Sequence, residues 1–513
     1  MYATIWSLLP FIVVIPLAMI TRQVVPALVV GLLVGSYMMA PTLLGGINKS
    51  LYYLFEEVVI PGNIHLILFL YTFGSFVGLV RITGGVNGFA KWLEPRVKSV
   101  RGAFGVAWLT SIGTFMAPDF RIIAVAPIMA SINKRLNISP QKMAYVIDVT
   151  ATPLISLIPI GTAFVGYMIG LLAVSLKHIG SKESAYPLFL ATIPLNFFAI
   201  AILVIGAYIS FFSKDVKKSP VSSASPVVDV KNKKEHRLPK VSPSYAMIAH
   251  ARHLHHGIQM EMGKLGTLHD PSHDEAPPEA IDLMSEEAKP SALHLILPIA
   301  LLLLLTFFLT WWSGHTLSNN FFGVLMNANA TEAMLQAILI TLVISSVFYL
   351  FRGQKIGQLM YGILAGGNQM MAVIVLLVFV WAVSGVSTDL GFSTYVAHTV
   401  GAVVPRMLIA PALFVLGSVI SYFIGSSFGT WGILMPLGFS LAMSTHASLA
   451  LIAAAVFASG TLGGFASPLS DNTVAMATVM KLPVVSFSNS LLKSTLVAGG
   501  AATIGYAIAG FVM

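Results

Sequence analysis

The chain has 513 residues, of which 56% are apolar and only 10% charged, with a formal net charge of +9 and no cysteine. So apolar a composition excludes an ordinary soluble domain and places most of the chain in a bilayer. Without cysteine there can be no disulfide, thiolate metal site or cysteine nucleophile, and the positive charge, sorted by loop below, speaks for membrane orientation and no nucleic-acid partner.

Apolar runs about 20 residues long, rather than alternating ten-residue segments, predict an all-α polytopic membrane protein. Met1 to Ile20 lacks a basic n-region and a small-residue cleavage site, so it reads as the first spanning helix and not as a signal peptide. Spans follow near 24 to 44 and 64 to 80, then an interrupted region at 104 to 132. A long span near 143 to 175 is broken by Pro153, Pro159 and Gly161, and a helix near 187 to 212 closes the series. After a polar segment the order returns, with helices near 293 to 312, 332 to 351 and 370 to 386. An interrupted region at 407 to 443, a broken span near 447 to 480 and a helix near 490 to 512 complete it.

This divides the chain into a first transmembrane repeat, 1 to 213, a linker, 214 to 291, and a second repeat, 292 to 513. If each interrupted region is a re-entrant hairpin, the fold has about ten transmembrane helices plus two re-entrant hairpins. Five crossings per half then make the halves two inverted repeats, with broken helices at the midplane.

Lys and Arg placement tests this topology independently. With both termini outside, only Lys49, Lys177, Lys182 and Arg406 of the 29 basic residues fall outside, Arg121 lies within the first interrupted region, and the others fall in inner loops. The bias assigns the 214 to 291 loop to the cytoplasm and the chain to the cytoplasmic (cell) membrane. That loop, basic at its start and acidic at its end, reads as a flexible linker. Within it Met247, Ala251, Leu254, Ile258, Met262 and Leu265 fall at helical spacing and predict an amphipathic helix over 245 to 266. His250, His253, His255 and His256 share this run, as plain polar surface or as a metal- or pH-responsive group.

Four polar clusters interrupt the apolar background: TSIGTFMAPDFR (Thr110 to Arg121), DVTATPLISLIP (Asp148 to Pro159), IGSSFGTWG (Ile424 to Gly432) and ASPLSDNT (Ala466 to Thr473). Backbone that leaves its helix in hydrocarbon survives only where protein or water surrounds it. Free carbonyl and hydroxyl oxygens there suit a hard cation such as Na⁺. Ser467, Ser470, Asn472, Thr150, Thr152, Ser427 and Thr430 are the candidate ligands; the plainer alternative is close helix packing through small residues. Asp119, Asp148 and Asp471 outnumber the one basic residue at comparable depth, Arg121, so salt bridges cannot neutralise all three. Some must hold a cation or a proton, and a site that holds either couples the two fluxes. Arg121 has three readings: a side chain snorkelling to the interface, a partner for Asp148, or an anchor for a substrate anion. No nucleotide-binding, metalloprotease or nucleophile-elbow motif occurs, so neither an enzyme nor a cofactor beyond transported Na⁺ and H⁺ is expected.

At KMAYVIDVTATP (Lys142 to Pro153), WAVSGVSTDLGFSTYVA (Trp381 to Ala397), GSSFGTWGILMP (Gly425 to Pro436) and SPLSDNT (Ser467 to Thr473) the sequence resembles the NhaC-type Na⁺/H⁺ antiporter family of the ion transporter superfamily. The resemblance implies an inverted-repeat fold with two hairpins and two unwound helices. It also implies Na⁺ or H⁺ coupling through clusters matching Asp148, Gly429, Thr430, Ser467 and Asp471, with Asp119 as one of an acidic pair in the first hairpin. Two positions depart from the family pattern: Gly464 stands where an acid is usual, and Arg121 where no Arg is. The expected function is Na⁺/H⁺ antiport by alternating access. The alternatives are a Na⁺- or H⁺-coupled carrier of a small organic acid or amino acid and, more remotely, a passive cation channel. Lipid bilayer and a homodimeric partner complete the expectation.

Overall fold

A computed structural model describes residues 2–213, 290–316, 323–324, 328–399 and 405–513. The amphipathic helix expected over 245 to 266 and its histidines lie outside them. The described residues before and after the 214 to 291 segment pack into one body, with no strand among them.

The first half runs α1 (Leu9–Thr21), α2 (Val24–Met39), α3 (Leu43–Val58), α4 (Pro61–Ile82), α5 (Gly85–Leu93), α6 (Val100–Leu109), α7 (Ser111–Thr114), α8 (Pro118–Leu136), α9 (Pro140–Val149), α10 (Thr152–Ile155), α11 (Ala163–His178), α12 (Ala185–Thr192) and α13 (Phe197–Phe211). The second runs α14 (Leu293–Gly314), α15 (Ala330–Phe351), α16 (Ile356–Gln369), α17 (Met371–Asp389), α18 (Phe392–Thr399), α19 (Arg406–Ile424), α20 (Ser427–Thr445), α21 (Leu449–Ala466), α22 (Asp471–Val479) and α23 (Val484–Val512).

The order recurs even in its joints. α8 stops at Asn137 and α20 at His446, both in the left-handed region, with φ of 53° and 54°. Two residues on, Ser139 and Ser448 open α9 and α21. The broken spans are where expected. The first comes apart after Val149 and again over 156–162, the second over 467–470, around prolines that have no N–H to give a helix.

Two departures concern the short helices. The span expected over 24 to 44 ends at Met39, and the chain turns by 119° into α3, which carries Lys49, Glu56 and Glu57. Its counterpart α16 was not anticipated; with α17 it makes a 34-residue apolar stretch. By length and apolarity, the described residues contain seven candidate spanning helices, or up to nine if each bent pair is one span. One of the nine, α19 (Arg406–Ile424), belongs to an interrupted region expected to be re-entrant yet is long and apolar enough to cross. The other eight match expected crossings, and the remaining two of the ten are α1 and the α9–α11 span, whose pieces are each too short to pass that test.

Packing sorts the helices by depth. α21 is almost wholly buried by protein, whereas α23 exposes Leu496, Val497, Ile504, Ile508 and Phe511, the side expected to meet lipid. The tightest crossing joins the halves. Gly74 and Gly78 of α4 meet Gly362 and Gly366 of α16, and a Cβ on Gly78 would lie 2.1 Å from Gly362 O, one on Gly366 2.2 Å from Gly74 O. Two small-xxx-small motifs thus bring backbone onto backbone, the usual device of membrane helices, which gain nothing from apolar burial against lipid.

Candidate functional site

The second break is held open by side chains. Ser467 Oγ donates to Tyr422 O (2.6 Å), Ser470 Oγ to Gly464 O (2.7 Å) and Ser488 Oγ to Ala466 O (2.8 Å). Ser421 and Ser427 both donate to Gly460 O, at 3.1 and 2.9 Å. Two carbonyls orphaned by the break, those of Gly464 and Ala466, are thereby satisfied without water. A hydroxyl that gives its hydrogen to a carbonyl keeps lone pairs for a cation, so these serines remain competent ligands. Thr430 Oγ1 donates to Ser426 O (3.0 Å) and Gly429 N to Ser426 Oγ (3.1 Å), which caps α20 at the hairpin tip.

The two breaks touch. Asn472 Nδ2 donates to Thr152 Oγ1 at 2.9 Å, while Asn472 Oδ1 is buried with no hydrogen-bond partner. A Cβ on Gly464 would lie 2.1 Å from Ser427 Oγ and 3.4 Å from Thr152 Cγ2. Thr152, Ser427, Gly464 and Asn472 therefore converge from both halves, and the glycine standing where an acid was expected leaves room for the Ser427 hydroxyl.

The three acids occupy two environments. Asp148, on α9, is fully buried, and neither carboxylate oxygen has a hydrogen-bond partner. A bare carboxylate there carries a desolvation cost that only a proton or a cation removes. Asp119 and Asp471 each stand in the first turn of a helix, α8 and α22, where the dipole favours negative charge. α8 and α22 pack together, and both acids keep accessible surface.

Arg121 has none of these acids as a partner. It is fully buried, and its guanidinium donates to neutral acceptors: Ile147 O (3.4 Å), Thr114 Oγ1 (2.9 Å), Ala107 O (2.6 Å) and Thr150 Oγ1. Thr150 Oγ1 itself donates back to Val146 O (2.7 Å). The pairing with Asp148 is not made, nor does Arg121 snorkel. Four of its five N–H donors thereby tie α6 and α7 to α9 and to the turn after it.

Sequence reasoning missed Arg81 and Gln369. Placed by the sequence in an inner loop, Arg81 is instead buried on α4 and donates from Nη1 to Gln369 Oε1 at 3.2 Å. Both border a cavity of about 250 Å³ with Asp119, Val77, Ile123 and Met370. A signal existed, since each polar residue stands three positions after the second glycine of a GxxxG motif, Gly78 and Gly366. Missed as well was a tie across α3, α11 and α17. Tyr53 OH donates to Asp389 Oδ2 (2.7 Å), and Glu57 Oε1 lies 3.5 Å from both Lys177 Nζ and His178 Nε2.

A polytopic helical body with two broken, mutually bonded spans and, in Asp148, a buried carboxyl without a hydrogen-bond partner fits a secondary transporter, not an enzyme. The chain belongs to the Na⁺/H⁺ antiporter family, whose sequence model matches residues 161–511. It is 25% identical over 528 aligned residues to an uncharacterized protein of Haemophilus influenzae, covering 99% of this chain and 91% of that one. Its fold is similar to that of Neisseria gonorrhoeae MtrF, of a class of antimetabolite efflux pumps, with a TM-score of 0.59 at 14% identity, over 90% of this chain and 84% of that one. The Alcanivorax borkumensis YdaH transporter aligns with a TM-score of 0.49 at 13% identity, over 90% and 88%.

Proposed function

We propose that this transporter is a Na⁺/H⁺ antiporter of the cytoplasmic membrane, with both termini outside and the 214 to 291 loop in the cytoplasm. The observation that carries the reading is the juxtaposition of Asp119 and Asp471, one from each half, at the starts of two packed helices. Two carboxylates brought together repel unless something positive joins them, and either one Na⁺ or a proton removes the repulsion. Occupancy by one ion therefore expels the other.

Ser467, Ser470, Asn472, Thr152, Ser427, Thr150, Thr430 and the backbone at Gly429 supply oxygens around the junction of the broken spans. Asp148, dry and without partners, carries a proton. Rocking of inverted halves about this junction would present the acids to each side in turn. The recurring element order, down to the matched left-handed joints at Asn137 and His446, supports that symmetry.

The test is Na⁺-driven proton movement in vesicles holding the purified protein. Asp471→Asn should abolish it, because an amide neither binds a proton at working pH nor neutralises a cation. Full Na⁺-dependent flux in that variant removes Asp471 from the site.

A further inference from the structure

The cavity beside Arg81 does not suit Na⁺. A hard cation needs a close shell of oxygens. Of the lining polar groups, Asp119 offers a carboxylate, Gln369 Oε1 already accepts from Arg81, and the guanidinium repels a cation. The space, about 250 Å³, is also far larger than one ion and somewhat smaller than the roughly 300–1,000 Å³ of pockets for drug-sized ligands.

Its chemistry is bipolar. Arg81 stands on α4, Asp119 at the start of α8 and Gln369 at the end of α16, with Val77, Phe120, Ile123 and Met370 forming apolar wall between them. The two charged groups line the same cavity, and Arg81 is held by the Gln369 amide. A guanidinium prefers a carboxylate, and a carboxylate in a largely apolar surround prefers an ammonium or a metal.

We propose that the cavity between α4, α8 and the α16–α17 junction binds a small zwitterion, an α-amino acid, with its carboxylate on Arg81, its ammonium on Asp119 and its side chain against Val77, Ile123 and Met370. The site is distinct from the junction of the broken spans and shares only Asp119 with the cation chemistry proposed above. Because that acid would hold an ammonium or take part in cation binding, solute and Na⁺ occupancy are linked through one carboxylate.

The test uses the full chain in lipid nanodiscs. Radiolabelled glycine, leucine, phenylalanine, histidine and glutamate are the probes, with lactate and butylamine as single-charge controls. At least one amino acid should bind saturably, neither control should compete at matched concentration, and Arg81→Gln should weaken binding by at least about tenfold. Absence of amino-acid binding, equal binding of lactate or butylamine, or an unchanged affinity in Arg81→Gln overturns the proposal. Should Arg81→Gln not fold, Ile123→Cys introduces the chain's sole cysteine. A bound amino acid should slow its alkylation, and an unchanged rate overturns the proposal equally. Na⁺-dependent proton flux measured on the same purified protein in sealed vesicles separates the two readings: flux without amino-acid binding ends this proposal alone, and amino-acid binding without flux ends antiport alone.

Discussion

Asn472 Nδ2 donates to Thr152 Oγ1 across 2.9 Å, so the two broken spans are joined side chain to side chain in the first turn of the helix that resumes after each break. Thr152→Val keeps the shape and removes the acceptor, leaving the Asn472 amide unpaired in a dry place. Stability in detergent should fall by about 1–3 kcal/mol. Asn472→Leu should cost less when added to Thr152→Val than it does alone, and a double-mutant cycle of thermal unfolding reads the difference. Additive losses would show that the two side chains do not depend on one another.

Gly464 predicts a suppressor. Its missing Cβ would sit 2.1 Å from Ser427 Oγ, so Gly464→Ala should lose transport and about 1–3 kcal/mol through overpacking. Ser427→Ala removes the obstructing oxygen, and the double variant should recover most of the stability while the hydroxyl's contribution to transport stays lost. Unfolding midpoints and vesicle flux, measured side by side, decide this.

Asp148 has no hydrogen-bond partner to lose. Asp148→Asn should therefore leave the unfolding temperature unchanged or raise it, while ion-coupled transport fails, since the cost of burying an ionisable group disappears with the group. A large drop in stability with transport retained would make Asp148 a structural residue.

The crossing of α4 and α16 has no slack. Gly78→Leu would drive a side chain into the Gly362 carbonyl and the Gly366 backbone, which cannot move aside as a flexible side chain can. The protein should fail to accumulate as a monodisperse species in size-exclusion chromatography. Gly357, with nothing within 4 Å of its added Cβ, should accept alanine without effect.

The hydrophobic periods along the chain determined by themselves that this is an all-α membrane protein whose helix order runs twice, and that prolines and glycines break one span in each half. Such features are local: an apolar run of a given length has few options in lipid, and proline cannot complete a helix wherever it lies. The polar clusters around Asp148 and Asp471 were legible for the same reason, since polar residues stand out against an apolar background.

Tertiary structure alone decided which of them meet. Nothing in the spacing of residues 320 positions apart says that Asn472 bonds Thr152, that the helices headed by Asp119 and Asp471 pack together while Asp148 has no hydrogen-bond partner, or that Arg121 spends its charge on carbonyls and hydroxyls. Arg81 shows why most plainly. Position along the chain put it in an inner loop just past a span, whereas α4 runs on to Ile82 and its glycine-on-glycine crossing with α16, a contact between halves, leaves Arg81 buried on the rim of a cavity it shares with Asp119.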